Sequence, residues 1–247
     1  IGIAACLLIA LFVRHEASYD SHYQNGDRIF RVLGVLEGER YKDVAFSAPF
    51  VNAVREDYPE IEKAGRYNAG ELFGAGSNEI HRVDKTENAY EEGFAYMDQS
   101  LLEILGVPMV DGHPQAALSE PNSIVISKSR AEKYFPGEDP VGKLLIVGND
   151  DKRLYKVGGV MKDFPPRSHV QFNFLISMTG REFWPGEQSS WTSSNYPTYV
   201  LLKPGVDPVE LARKMTKGVI EKYVLPSLLE GGVADARELV KKARIEL

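Results

Sequence analysis

The sequence predicts an α+β fold in which a regular strand–helix–strand unit at each end of the chain flanks an irregular, β-rich insert. Three observations predict it. Near the start, the β-favouring run Arg28–Leu36 is followed by a helix signal at Ser47–Tyr58 and a strand signal at Ile61–Asn68. Near the end, Thr198–Lys203, a helical pattern over Asp207–Tyr223 and the closing stretch Ala243–Leu247 repeat that order. Between them, Gly and Pro interrupt every periodic segment, so only short elements fit there.

Each element has a local reason. Asn25-Gly26 stops a polar helical stretch, Arg14–Asn25, on which Tyr19 and Tyr23 are four residues apart and share a face. Glu37-Gly38 turns the chain after the first strand, and Tyr41–Phe46 reads as its return. Ser47 is the expected N-cap of the next helix, with Pro49 in the first turn, an apolar face from Phe50, Val51, Val54 and Tyr58, and Pro59 as terminator. Further on, Glu91–Met97 reads as a strand, Asp98 as the cap of a helix over Gln99–Leu105, and Ser123–Ile126 as a brief buried strand. Ser127 is the expected cap of a helix reaching Tyr134, which Pro136-Gly137 stops. Strands are expected at Lys143–Val147, Leu154–Met161 and Val170–Ile176. Residues 185–194 form a Ser/Gln/Gly-rich loop with Trp184 and Trp191 near its ends, a possible partner-contact loop. The helix at Asp207–Tyr223 carries Val209, Leu211, Ala212, Met215, Val219, Ile220 and Tyr223 at helical spacing, and a second helix is expected over Val233–Lys242.

Composition narrows function. The 247 residues are 43% hydrophobic and 26% charged, the balance of a folded domain. The formal net charge is −6, and Lys and Arg are scattered, which sets nucleic-acid binding aside. Ile1 opens the sequence in place of Met, so a fragment or processed product is expected. Residues 1–13 carry no polar side chain except the thiol of Cys6 and would rise only about 20 Å as a helix, short of the roughly 30 Å bilayer core. A signal-peptide core would be preceded by basic residues. A lipobox cysteine would follow the apolar stretch, not lead it. The reading preferred is the C-terminal part of a transmembrane helix, with Arg14 and His15 at the interface. Cys6 is the only cysteine, which excludes an internal disulfide and a Cys-based metal site.

No catalytic constellation assembles. Gly137-Glu-Asp-Pro-Val-Gly142-Lys143 has P-loop spacing, but Leu144 stands where Ser or Thr would hold magnesium, Pro140 removes an amide, and Glu138 and Asp139 repel an anion. A helix precedes it and a strand follows, the reverse of a P-loop. His15, His22, His81, His113 and His169 form no paired metal spacing. Gly76-Ser77 lacks the frame of a nucleophile elbow, and no pair of carboxylates is singled out. No enzyme activity, metal or cofactor is expected.

Four stretches together carry a family resemblance: Ser18-Tyr-Asp-Ser-His-Tyr-Gln-Asn-Gly-Asp-Arg-Ile-Phe-Arg-Val32, Asn122-Ser-Ile-Val-Ile-Ser-Lys-Ser-Arg-Ala-Glu-Lys-Tyr-Phe-Pro-Gly-Glu-Asp-Pro-Val-Gly-Lys143, Tyr155-Lys-Val-Gly-Gly-Val-Met-Lys-Asp-Phe-Pro165 and Ser168-His-Val-Gln-Phe-Asn-Phe174. In this order they resemble the MacB-like periplasmic core domain of MacB/FtsX-type ABC transporter permeases. The resemblance implies a domain between the first and second of four membrane helices, outside the bacterial inner membrane. It implies a porter-like lobe of split βαβ units (27–90 and 190–247) and an inserted sabre-like lobe (91–189), with 1–13 as membrane helix and 14–26 as stalk. It further implies a homo- or heterodimer of permeases, a separate cytoplasmic ABC ATPase that hydrolyses ATP, and a periplasmic adaptor or substrate protein as partner. The expected function is coupling of that hydrolysis to substrate export or mechanotransmission, with Arg14, Tyr19 and Tyr23 as stalk residues. His169 recurs in a motif of that family and is expected to shape a turn. The rival reading is the ligand-binding ectodomain of a membrane-anchored sensor, which would also follow a membrane helix.

Overall fold

The structure, a computed structural model, describes residues 6–11, 23–38 and 45–247. Residues 6–11 are helical, with Leu7, Leu8, Ile9 and Leu11 exposed. Among the described residues no helix is long and apolar enough to cross a membrane. The rest of the expected membrane segment, most of the stalk with Arg14 and Tyr19, and residues 41–44 of the expected return strand lie outside the described residues.

Among the described residues, twelve strands and six α-helices come after residues 6–11, in order: β1 (Ile29–Arg31), β2 (Leu33–Leu36), α1 (Phe50–Asp57), β3 (Ile61–Asn68), β4 (Gly76–Arg82), β5 (Ala89–Met97), α2 (Gln99–Ile104), β6 (Met109–Gly112), β7 (Ser123–Ser127), α3 (Lys128–Tyr134), β8 (Leu144–Val147), β9 (Leu154–Met161), β10 (Phe174–Ser177), β11 (Thr198–Leu202), α4 (Pro208–Val219), α5 (Leu225–Glu230), α6 (Ala236–Lys241) and β12 (Ala243–Glu246). The class is α+β, as the sequence predicts.

The two chain ends pair with one another, and β3 carries their hydrogen bonding on into β5 through Tyr67–Met97 and Asn68–Tyr96. β11 pairs antiparallel with both β1 and β3, so β1 and β3 run parallel with β11 between them and α1 as their connection, a split βαβ unit. Even-numbered main-chain groups of the first strand bond β11 (Val32 N–H to Thr198, Leu202 N–H to Arg28), whereas Glu37 bonds Lys242 beside β12. Alternate groups of a strand point to opposite edges, so β12 flanks β1–β2 on the side away from β11. The order is β12, β1–β2, β11, β3. Helices α1 and α4 cover one face through Phe50, Val54, Leu211, Met215 and Val219, packed on Val32, Ala64 and Val200.

The middle of the chain closes on itself. β5 pairs with β10, β10 with β7, β7 with β9, β9 with β8, β8 with β4, and β4 again with β5. Six strands thus form a ring with no free edge, the arrangement that removes the edge-strand hazard. Its inside holds Phe94, Tyr96, Ile124, Ile126, Leu145, Val147, Val157, Phe174 and Ile176, with Phe94 and Phe174 stacked at 4.2 Å. The intervening residues Ala95, Met97, Val125 and Leu175 face outward against Leu101, Leu102 and Ile104 of α2. Burial on both faces is why these strands read as apolar runs without alternation. Tyr199 and Leu201 of β11 belong to that same outer cluster, which makes it the seam between ring and sheet.

Several local expectations are corrected. Arg28–Leu36 is not one strand with one partner: pairing changes from β11 to β12 across Val32. Ser47 does not cap α1; Pro49 holds the cap position and Ser47 is buried. Asp98 and Ser127 occupy the positions before α2 and α3, but neither side chain caps: Asp98 accepts from Arg66 N–H at 3.1 Å, and Ser127 Oγ lies 3.2 Å from Ser129 Oγ. Val170–Asn173 is not strand, and β10 begins at Phe174. β4 and β6 are additional strands. β4 reads as polar, yet Asn78, Ile80 and Arg82 alternate inward. The helix from Asp207 continues through a π-helical segment, Ile220–Val224, into α5. Asp207 caps it, accepting from Val209 N–H at 2.8 Å and Glu210 N–H at 3.3 Å.

Candidate functional site

Where the chain enters the fold, Tyr23 precedes a turn that leads into β1. The turn is held by Arg28 N–H and Ile29 N–H bonding the Asn25 carbonyl at 2.9 and 3.1 Å. Arg28 fixes it to the sheet, donating to Leu202 O at 2.7 Å, Glu62 at 2.9 Å and Asn25 Oδ1 at 3.0 Å. A charged fork bonded to three partners leaves the turn little freedom.

Tyr23 then meets two other parts of the chain. Its hydroxyl lies 3.1 Å from Ser168 Oγ, and its ring meets the His169 ring edge-on at 6.3 Å. His169 Nε2 is 2.6 Å from the Tyr199 hydroxyl, and those rings stack at 5.7 Å. Tyr199 continues to Tyr67, and Tyr67 to Phe172 at 5.3 Å. Burial pushes the Tyr67 phenol above its ordinary pKa, so the neutral hydroxyl persists at any physiological pH. A cavity of about 350 Å³ lies against Tyr23, Ile29, Leu105, His169 and Tyr199. The turn after β9 that presents Ser168 is kept by Ser168 N–H on Pro165 O at 3.1 Å and by the Gln171 amide on Pro165 O at 2.7 Å. Three chain segments far apart in sequence therefore converge on one aromatic contact: the incoming Tyr23, the Ser168-His169 turn and strand β11.

A second constellation, buried, ties the 183–190 loop to the seam. Glu187 is fully buried and accepts from Phe183 N–H at 2.7 Å and from the Tyr196 hydroxyl. Burial and then Glu187 push the Tyr196 phenol far up, so it stays a donor. Arg66 lies 4.5 Å over the Tyr196 ring and donates to Ala48 O and to Gln188 at 3.1 Å. Asp98 stands 3.7 Å from Arg66 and 3.5 Å from Arg55, and burial still pushes its carboxyl up.

Of the residues singled out in the sequence, Tyr23 is in the junction. Trp184 and Trp191 are half-buried and apart: Trp184 tilts on Phe73 at 5.8 Å beside the ring, and Trp191 stacks on Tyr223 at 4.5 Å beside α4. The P-loop-like segment is a turn between α3 and β8. Gly137 and Gly142 both have positive φ there, and Lys143 pairs with Glu138 at 3.6 Å. Among the described residues no group of three or more His, Cys, Asp or Glu is placed to hold a metal ion. Tyr199, Glu187 and Arg66 were missed. The available signal was a phenolic residue inside an otherwise apolar strand pattern, as at Tyr199; β3 also carries Glu62 and Lys63, so nothing in its pattern marks Arg66.

The model of the MacB-like periplasmic core domain matches residues 1–217. The chain belongs to that family. It is thus a periplasmic core domain of a MacB-like ABC transporter permease, an extracytoplasmic module. A domain described as that of a permease protein from Porphyromonas gingivalis has TM-score 0.70 at 22% identity, covering 91% of each chain. The periplasmic region of MacB from Actinobacillus actinomycetemcomitans has TM-score 0.51 at 14% identity, covering 81% of this chain and 86% of that one. Both are likenesses of fold. A comparison with curated proteins gives no match. The Ser168-His169 motif that carries the family resemblance is the same turn that receives Tyr23.

Proposed function

We propose that this MacB-like domain couples ATP hydrolysis by a separate cytoplasmic ATPase to substrate export or mechanotransmission, with Tyr23 and the Ser168-His169 turn as the joint. The observation that carries the reading is the convergence of the incoming chain, the turn and β11 on one bonded aromatic cluster. A displacement arriving along the N-terminal segment then reaches both the ring and the sheet through packed side chains, the physical requirement for transmission. In this reading residues 1–13 belong to an inner-membrane helix, 14–26 to a stalk, and two permease copies work together with the ATPase and a periplasmic adaptor or substrate protein. The split βαβ sheet is the porter-like lobe and the ring the sabre-like lobe. β4 counts with the ring, because its pairings are to β5 and β8. Trp184 and Trp191 stand as partner-contact candidates.

The test is crosslinking in the full permease with its ATPase, after Cys6→Ser removes the one thiol of these 247 residues and any cysteine elsewhere in the permease is replaced likewise. With Tyr19→Cys, the yield of stalk-to-stalk crosslinks is expected to change when ATP is added. Equal yields with and without nucleotide contradict the lever.

A further inference from the structure

One mouth of the six-stranded ring is built around two arginines. The ends of β5 and β10 and the starts of β4, β7 and β9 meet there, as the pairings Gly76–Phe94, Ile176–Tyr96 and Ser123–Lys156 require. Tyr96 and Tyr155 rise from the ring interior to this mouth. Arg181 lies with its guanidinium 4.7 Å over the Tyr96 ring and donates to the Tyr155 hydroxyl at 3.2 Å. Arg153 donates to the Tyr96 hydroxyl at 3.4 Å, to Gly74 O at 3.2 Å and to Asn78 Oδ1 at 3.5 Å. A Cβ on Gly148 would sit 2.6 Å from one Arg153 nitrogen, so the glycine leaves room for the guanidinium.

What these cations lack decides the reading. Arg82 has Asp84 at 2.6 Å and Glu138 at 2.8 Å, and Arg130 has Glu91 at 3.0 Å. Among the described residues neither Arg153 nor Arg181 has a carboxylate within 4.0 Å. Their hydrogen bonds go only to neutral oxygens and, at 3.2 to 3.5 Å, lie at or beyond the long end of the usual range of about 2.7–3.2 Å. Two half-buried guanidiniums thus share one phenol pair and have donors to spare. Beside them runs an apolar rim: Phe183 packs on Tyr96 at 5.0 Å, Phe73 on Phe183 at 5.1 Å, and Leu72 is 90% exposed. Trp184 lies on the same Phe73.

We propose that this mouth binds an anionic group, a phosphate or a carboxylate, carried on an apolar chain. Arg181 and Arg153 take the anion, and Leu72, Phe73 and Trp184 take the apolar part. The site is separate from the Tyr23 junction and stands or falls without it.

The test follows Trp184 fluorescence in the 247-residue chain carrying Trp191→Phe, titrated with dodecyl phosphate below its micelle concentration. A saturable change is expected. Arg181→Gln should weaken binding about tenfold or more, the scale of one lost charge-assisted group, while Arg181→Lys keeps part of it. Leu72→Ser, an exposed position, should weaken dodecyl phosphate several-fold by removing apolar contact. Dodecyl maltoside should give no saturable signal, and inorganic phosphate should not compete at equal concentration. The proposal is overturned if dodecyl maltoside binds as tightly, or if an Arg181→Gln variant of unchanged melting temperature binds like the parent. Inorganic phosphate competing as well as dodecyl phosphate would make this a free-phosphate site and overturn the amphiphile assignment. Should Arg181→Gln unfold, the Leu72→Ser, maltoside and phosphate arms still decide.

Discussion

Glu187 sits in a segment rich in Ser, Gln and Gly that reads as a loop, yet Glu187 itself is fully buried. Its carboxylate holds the loop closed by taking Phe183 N–H and the Tyr196 hydroxyl. Truncating one partner of a buried charged bond leaves the others desolvated and unpaired. Glu187→Ala should therefore destabilise the chain by about 3 kcal/mol, and Glu187→Gln by less, because its amide oxygen still accepts. Denaturant unfolding of the two variants measures both; equal and negligible losses would contradict the assignment. Nothing in the local sequence marks Glu187, since its burial depends on Tyr196 and on Arg66, more than a hundred residues earlier. Tyr23 differs: its spacing from Tyr19 and its place before Asn25-Gly26 pick it out locally, and His169 is marked by its motif.

Elements with strong local chemistry were legible in the sequence. β3 runs over Ile61–Asn68 as predicted, β9 over Leu154–Met161, and α4 starts at the Asp207 cap. What was not legible arises from tertiary partners. The change of partner across Val32 exists only because β12 arrives on the other edge, and β4 is a strand because β5 and β8 bond both its sides. The caps failed where a competing partner was present, as when Asp98 turned to Arg66. Close packing between elements gives the sharpest test. A Cβ on Gly65 of β3 would lie 2.6 Å from the Leu101 backbone nitrogen, so α2 rests directly on that glycine. Gly65→Ala is expected to cost about 2–3 kcal/mol, as overpacking against rigid backbone does, and to lower the melting temperature accordingly. A melting temperature unchanged by Gly65→Ala would show that α2 does not sit as described.

For the whole molecule, the strand–helix–strand units at the chain ends and the β-rich middle were legible from periodicity and from Gly/Pro punctuation. The closure of the middle strands into a ring was not, because it is made by pairings such as β4 with β8, some sixty residues apart. The ring, the sheet and the seam between them supply three packed clusters, and the Tyr23 junction abuts the seam through Tyr199 and Tyr67. Ring and sheet are joined by the β3–β5 pairing and by the seam, and the junction is where the incoming chain touches that joined body, which is the basis for treating it as the point of transmission.

The most direct measurement uses the full permease with its ATPase, Cys6→Ser, and a spin label on the exposed Lys152→Cys position of the ring. The distance between labels on two copies is read with and without ATP. The account predicts a nucleotide-dependent change that is lost in Tyr23→Ala/His169→Ala, while ATP hydrolysis and thermal stability are retained. The same change, undiminished in that stably folded double variant, would contradict it.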